Sequence, residues 1–170
     1  MTKGSQRALR AVAAFMPAMA ASFAIGAEPA GVAATQADRT AEHVRRGRYL
    51  VLITGCNDCH TAGYAQSGGK LPEKDWLTGD GLGWSGPWGT TYAINLRLYV
   101  KDMTAAQWLA TARARMARPP MPSSALQAMT DDDLAGIYYF LRSLGPAGKM
   151  APAYVPPGGK PATPVVRFPE

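Results

Sequence analysis

Cys56-Asn57-Asp58-Cys59-His60 decides how the rest of this sequence is read. These two cysteines are the only ones in the 170 residues, and a histidine directly follows the second. One helical turn separates positions 56 and 59, so both thiols share a face, and the next side chain projects from the same turn. This C-x-x-C-H spacing is the attachment signature of a c-type haem. Cys56 and Cys59 would add to its two vinyl groups, and His60 would become the proximal ligand of the iron. A thioredoxin-like dithiol would want a preceding strand and a βαβ pattern, and neither is present. A zinc site would have to use Cys56, Cys59, His60 and His43, at no recognised finger spacing. A disulfide across two residues would be strained and close a trivial loop.

Composition agrees that a group other than side chains fills the core. Although 47% of residues are hydrophobic, 30 of them are Ala, and Leu, Ile, Val and Phe number only 29. No succession of Val/Ile-rich runs could build a parallel-sheet enzyme, and the length permits one domain with extensions. Between His60 and Tyr92 lie eight glycines, two prolines and three tryptophans, with no helix or strand pattern. So long an irregular stretch suits a chain wrapping a large flat apolar ligand. Trp76, Trp84 and Trp88 can pack on such a ring or bond its propionates through their indole N–H groups; the alternative is loop packing. Asn95 is either a propionate donor or the cap of a turn.

A second axial ligand is sought among the methionines beyond the motif. Met103 precedes the capping box Thr104-Ala-Ala-Gln107, and Met116 lies near the end of the helix it opens. Met129 precedes the N-cap Thr130 and the acids 131–133, the place of a hydrophobic staple. Met150 lies in a Pro/Gly tail. Met121 differs, because Pro119-Pro120-Met121-Pro122 cannot be helical and its backbone is stiff. A thioether is a weak ligand and needs such a loop. His43, at the start of the helix before the motif, is the rival. A His60/Met121 pair would raise the potential and close the iron to outside ligands, which means electron transfer.

Residues 40–54 are expected to be helical, with Val44, Gly47, Leu50 and Ile53 on one stripe and Arg45, Arg46 and Arg48 on the solvated face. Residues 131–144 form the last helix, with Leu134, Ile137, Tyr138, Leu141 and Leu144 inward, stopped by Gly145-Pro146. Gly47 costs about 1 kcal/mol relative to Ala in mid-helix, so it is expected to admit this last helix closely, around Tyr138 and Leu141. From Gly145 onward seven of 26 residues are Pro, and this tail should run extended over the domain or toward a partner.

The first ten residues carry Lys3, Arg7 and Arg10 and no acid, and an uncharged stretch to Ala27 ends in small residues. This is the layout of a secretory signal peptide, the alternative being an uncleaved membrane tether. Its removal leaves 15 basic residues against 12 acidic ones, too little excess to argue for nucleic acid.

From about Arg39 to Gly145 the chain resembles a class I, mono-haem c-type cytochrome. Arg46-Gly-Arg-Tyr-Leu50, Pro120-Met-Pro122, Met129-Thr-Asp-Asp-Asp-Leu134 and Tyr139-Phe-Leu-Arg142 are similar to single haem domains in the cytochrome subunits of membrane-bound alcohol, aldehyde and gluconate dehydrogenases. Those subunits usually carry three haem domains, and an Asn-Ile-Thr-Pro-Asp segment where this chain has Asn95-Leu-Arg97. The resemblance implies Cys56 and Cys59 as covalent anchors, His60 as proximal and Met121 as distal ligand, and packing of the first helix on the last. Relatives have Gly-Pro-x-Leu about ten residues beyond the haem histidine, its proline carbonyl accepting from the imidazole; Leu71-Pro72 stands at a similar distance, which carries that role to Pro72.

The expectation is therefore a mainly α, small cytochrome c fold, its helices packed around one covalent haem c with long irregular loops. Its parts are a signal (1–27), a linker (28–38), the haem domain (39–145) and the tail (146–170). It would be a periplasmic carrier of single electrons without catalytic residues. A dehydrogenase or respiratory complex would be the donor, and an oxidase or another cytochrome the acceptor. After signal cleavage it would not be an integral membrane protein. The alternatives are a dedicated electron-transfer subunit of a periplasmic dehydrogenase, with the tail for docking, or a haem sensor or peroxidase with an open iron.

Overall fold

The computed structural model describes residues 34–169, so the expected signal peptide lies outside the described residues. Six helices carry the fold: α1 (Gln36–Ile53), α2 (Cys56–His60), α3 (Leu96–Tyr99), α4 (Ala105–Ala114), α5 (Ser123–Ala128) and α6 (Asp131–Leu144). Three short strands accompany them: β1 (Gly83–Gly86), β2 (Gly89–Tyr92) and β3 (Val165–Arg167). Helix α1 begins four residues before the expected start, inside the stretch read as linker. A capping box explains this: Thr35 accepts from the Asp38 N–H and the Asp38 carboxylate accepts from Thr35. The expected box opens α4 (Thr104 with Gln107), and at α6 the expected N-cap Thr130 is completed into a box by Asp133.

Helices α1 and α6 pack against each other at two glycines. A Cβ on Gly47 would stand 1.9 Å from the Gly136 carbonyl oxygen and 2.8 Å from Phe140 Cβ. The expected helix is thus the partner, but the contact lies at Gly136 and Phe140 rather than Tyr138 and Leu141. The inward stripe of α1 also differs. Ile53 is 58% exposed, and Val51 beside Leu50 is buried in its place. Opposite them Leu134, Ile137, Phe140 and Leu141 are buried, with Trp108 and Ala112 of α4 completing the cluster. Each such large side chain contributes roughly 1.5–3 kcal/mol by leaving water. Of the four arginines of α1, the three expected on its solvated face each meet an acid: Arg45 with Glu42, Arg46 with Asp133, Arg48 with Glu73.

The stretch read as irregular contains a hairpin. Strands β1 and β2 pair antiparallel, and β3 of the tail adds parallel to β1, giving the order β2-β1-β3. Period-2 patterning could not announce strands of four residues made of Gly, Trp, Ser, Thr and Tyr. The Pro-rich tail lies along the domain: Thr90 and Val155 exchange both backbone hydrogen bonds (2.7 and 3.0 Å). No helix among the described residues is long and apolar enough to cross a membrane.

Candidate haem-binding site

Helix α1 ends at Ile53, and the Thr54-Gly55 turn leads straight into α2, so the motif sits at the foot of the α1–α6 pair. Cys56, Cys59 and His60 open on one side of this turn into a cavity of about 410 Å³. Its other walls come from distant parts of the chain. Strand β1 gives Trp84; Thr91 and Tyr92 come from β2, with Ala93 and Ile94 just beyond it. Helix α4 gives Trp108 and Ala112, and the segment after α4 gives Arg115, Arg118 and Pro120-Met121-Pro122. Pro152 and Tyr154 close it from the tail.

His60 is buried, and its Nδ1 lies 2.8 Å from the Ile94 carbonyl oxygen. A carbonyl only accepts, so Nδ1 carries the proton and Nε2 keeps a free lone pair. Burial pushes the imidazole pKa down, against the pull of Ile94 and with repulsion from Arg115. The ring is therefore neutral at pH 7, as a metal ligand must be. The accepting carbonyl is that of Ile94 and not, as expected, of Pro72. Pro72 is exposed, and its carbonyl accepts from the Asp75 N–H. Neither cysteine is in a disulfide, and burial raises both thiol pKa values; at Cys56 a Thr54 hydroxyl 3.3 Å from Sγ opposes this.

The structure sorts the other expected residues. Met121 is on the cavity wall, half-buried, whereas Met103, Met116 and Met150 are not; Met129 lines it from the junction between α5 and α6. His43, the rival ligand, stacks on Tyr139 at 5.1 Å and belongs to a separate surface groove with Arg39, Glu42, Arg46 and Asp133. Of the tryptophans Trp84 reaches the cavity. Trp76 is core, bonding the Leu71 carbonyl and meeting Tyr64 and Phe140 edge-on. Trp88 does not reach it: its ring packs on Phe168 at 5.3 Å and its indole N–H faces the Trp84 carbonyl. Nor does Asn95 reach the cavity. It caps α3 through Leu98 N–H and donates to the Ala147 and Lys149 carbonyls, so it is the turn cap of the two readings.

Sequence reasoning overlooked Tyr99, Trp108, Arg115, Arg118 and Tyr154. The two arginines flank the Pro-Pro-Met segment closely enough to have been noticed; Tyr154 sits 33 residues beyond Met121 and carried no signal. The cavity fits a haem. Two thiols and one imidazole lone pair meet an otherwise largely apolar wall, and among the described residues no carboxylate lines it while two guanidiniums do. Among the described residues no three or more His, Cys, Asp or Glu side chains are arranged to hold a metal ion, and His43 lies in another groove, so the four ligands of the zinc reading are not assembled.

A comparison with protein families matches the cytochrome c model over residues 44–145, from the middle of α1 to the end of α6. No curated protein and no solved structure matches the chain significantly, so nothing supports the finer likeness to dehydrogenase subunits. Motif, cavity and family match agree: the chain belongs to the cytochrome c family, a haem-binding carrier of electrons with one covalently attached haem c.

Proposed function

We propose that the protein is a periplasmic single-electron carrier whose haem iron is held by His60 and Met121. The observation that carries this reading is that Met121 lines the same cavity as Cys56, Cys59 and His60, whereas His43 lies in another groove. Bound haem c supplies a one-electron couple; a His/Met pair favours the ferrous side and leaves no position for an outside ligand. The chain's part is to hold the imidazole in one tautomer through Ile94, to exclude water with Trp108, Ile137 and Leu126, and to present the thioether from a stiff loop. Exposed Tyr49 and Ile53 at the end of α1 leave apolar surface beside the motif for redox partners, a dehydrogenase or respiratory complex on one side and an oxidase or another cytochrome on the other. The basic, then apolar, then small-residue order of residues 1–27 supports export to the periplasm, where the haem would be attached.

The alternative of a dedicated dehydrogenase subunit leaned on the tail as a docking segment. The tail's backbone is instead occupied by β1 and β2 of its own domain, which favours the free carrier. The test is the visible and far-red spectrum of the protein matured in a periplasm with a haem-attachment system. Sharp low-spin ferrous bands, with a weak ferric sulfur-to-iron band that disappears in Met121→Ala, are expected. A high-spin ferric spectrum, or carbon monoxide binding to the native ferrous protein, would overturn the ligation and favour a sensor or peroxidase.

A further inference from the structure

We infer that the tail beyond residue 145, outside the stretch matched by the family, completes the haem cavity, and that Tyr154 in it is a positioning residue for Met121; this rests on the His60/Met121 reading above. The tail is tied down along its length. Asn95 holds the carbonyls of Ala147 and Lys149, Thr90 pairs with Val155, and β3 joins β1 with Phe168 packed on Trp84 and Trp88. Gly89 permits the closest approach: its φ is +91°, and a Cβ there would meet the Val155 carbonyl oxygen at 2.4 Å.

So fixed, Tyr154 does two things. Its hydroxyl donates to the Trp88 carbonyl at 2.7 Å, and its ring lies 3.8 Å from the Arg118 guanidinium carbon. Arg118 in turn belongs to the methionine turn, since its carbonyl accepts from the Met121 N–H at 3.3 Å. The next residue is held as well, Thr91 Oγ1 donating to the Pro119 carbonyl at 2.7 Å. The segment carrying Met121 thus hangs on two anchors, one from β2 and one from the tail. Prolines stiffen that segment internally but do not place it; placement comes from these contacts. A thioether binds iron weakly, so freedom given to this turn is paid directly in ligand occupancy.

The experiment uses the full-length haem-loaded ferric protein, with imidazole as the probe that displaces the thioether. In Tyr154→Ala and in Arg118→Ala the far-red sulfur-to-iron band should weaken and the imidazole affinity rise about tenfold, the size of one partly desolvated cation–ring contact. The double variant should be no worse than either single one. Tyr154→Phe, which keeps the ring beneath the guanidinium, should stay within about twofold of the native protein. Arg118 is exposed, so its variant reports even if Tyr154→Ala fails to fold. Unchanged band and affinity in Arg118→Ala, or additive effects in the double variant, would overturn the inference while leaving the ligation intact. A native protein without the band, or one whose band survives Met121→Ala, removes the ligation reading and this inference with it.

Discussion

Gly47 of α1 and Gly136 of α6 meet backbone to backbone, with no side chain between them. A Cβ on Gly47 would lie 1.9 Å from the Gly136 carbonyl oxygen and 2.4 Å from its carbonyl carbon. Backbone atoms cannot turn aside as a rotamer can, so the helices would have to separate, carrying the motif away from α6. Overpacking of this kind costs about 3 kcal/mol, and Ala regains about 1 kcal/mol of helix propensity. Gly47→Ala should therefore lose about 2 kcal/mol or more, read as a shift in urea midpoint of the haem-loaded protein. A midpoint within error of the native one would show that the contact relaxes freely.

Arg97 is buried and makes no ion pair among the described residues, though the Asp75 charge attracts it; its guanidinium donates to the carbonyls of Lys74, Leu144 and Gly145. Those last two carbonyls end α6, where the helix dipole is negative. The planar fork reaches three acceptors in different directions, which a single ammonium on a flexible stem cannot match. Arg97→Met should cost about 3 kcal/mol, given the strength of charged hydrogen bonds. Arg97→Lys should recover less than half of that by the same urea assay; full recovery would mean that charge alone matters.

Thr61, next after His60, links the motif to the loop behind it. Its hydroxyl donates to Asn57 Oδ1 and accepts from the Leu77 N–H, both at 2.7 Å. Leu77 is fully buried with φ +62°, a left-handed conformation that costs a non-glycine residue about 1–2 kcal/mol. Thr61→Val keeps the shape but strands a buried N–H and a buried amide oxygen, so a loss of about 2–3 kcal/mol is expected. Amide exchange at Leu77 should rise in the same variant, and unaltered protection there would refute this account.

Asp133 sits in the first turn of α6, its side chain 16% exposed, where it accepts from Arg46 and closes the capping box with Thr130. Arg46 first, then Thr130, holds its carboxyl below the ordinary value. A depressed folded pKa means that its stabilisation is full above the unfolded value of about 3.9 and is lost as pH falls through the lower, folded one. Arg39, Glu42, His43 and Asp132 line the same groove. Asp133→Asn should cost about 1 kcal/mol at pH 7, within the range for a cap and a partly exposed pair. Below pH 4 the difference from the native protein should shrink, and a constant difference across the acid limb of a pH–stability curve would count against this pairing.

Local chemistry made much of this protein legible in one dimension. The C-x-x-C-H spacing lies within one helical turn, so the haem c and its attachment motif need no tertiary information. Capping boxes and 3–4 spacing likewise place α4 and α6, because helix ends are satisfied by residues three positions away. Met121 stood out for a similar reason, its neighbouring prolines restricting the backbone on the spot. What could not be read locally are contacts between residues far apart in the chain. That Ile94 rather than Pro72 accepts from His60 depends on how the hairpin folds over α2, at a separation of 34 residues. Trp88 and Asn95 have side chains fit for a haem pocket, yet other partners take both: the Trp84 carbonyl and the Phe168 ring hold Trp88, and the tail carbonyls of Ala147 and Lys149 hold Asn95, since a donor bonds whichever acceptor the fold brings within reach. Tyr154 reaches the cavity by the opposite route: nothing in its surroundings marks it, and only the pairing of the tail with β1 and β2 sets its ring against Arg118. Covalent spacing and backbone stiffness are properties of short segments and are written in the sequence; the choice among competing hydrogen-bond and packing partners is a property of the folded whole.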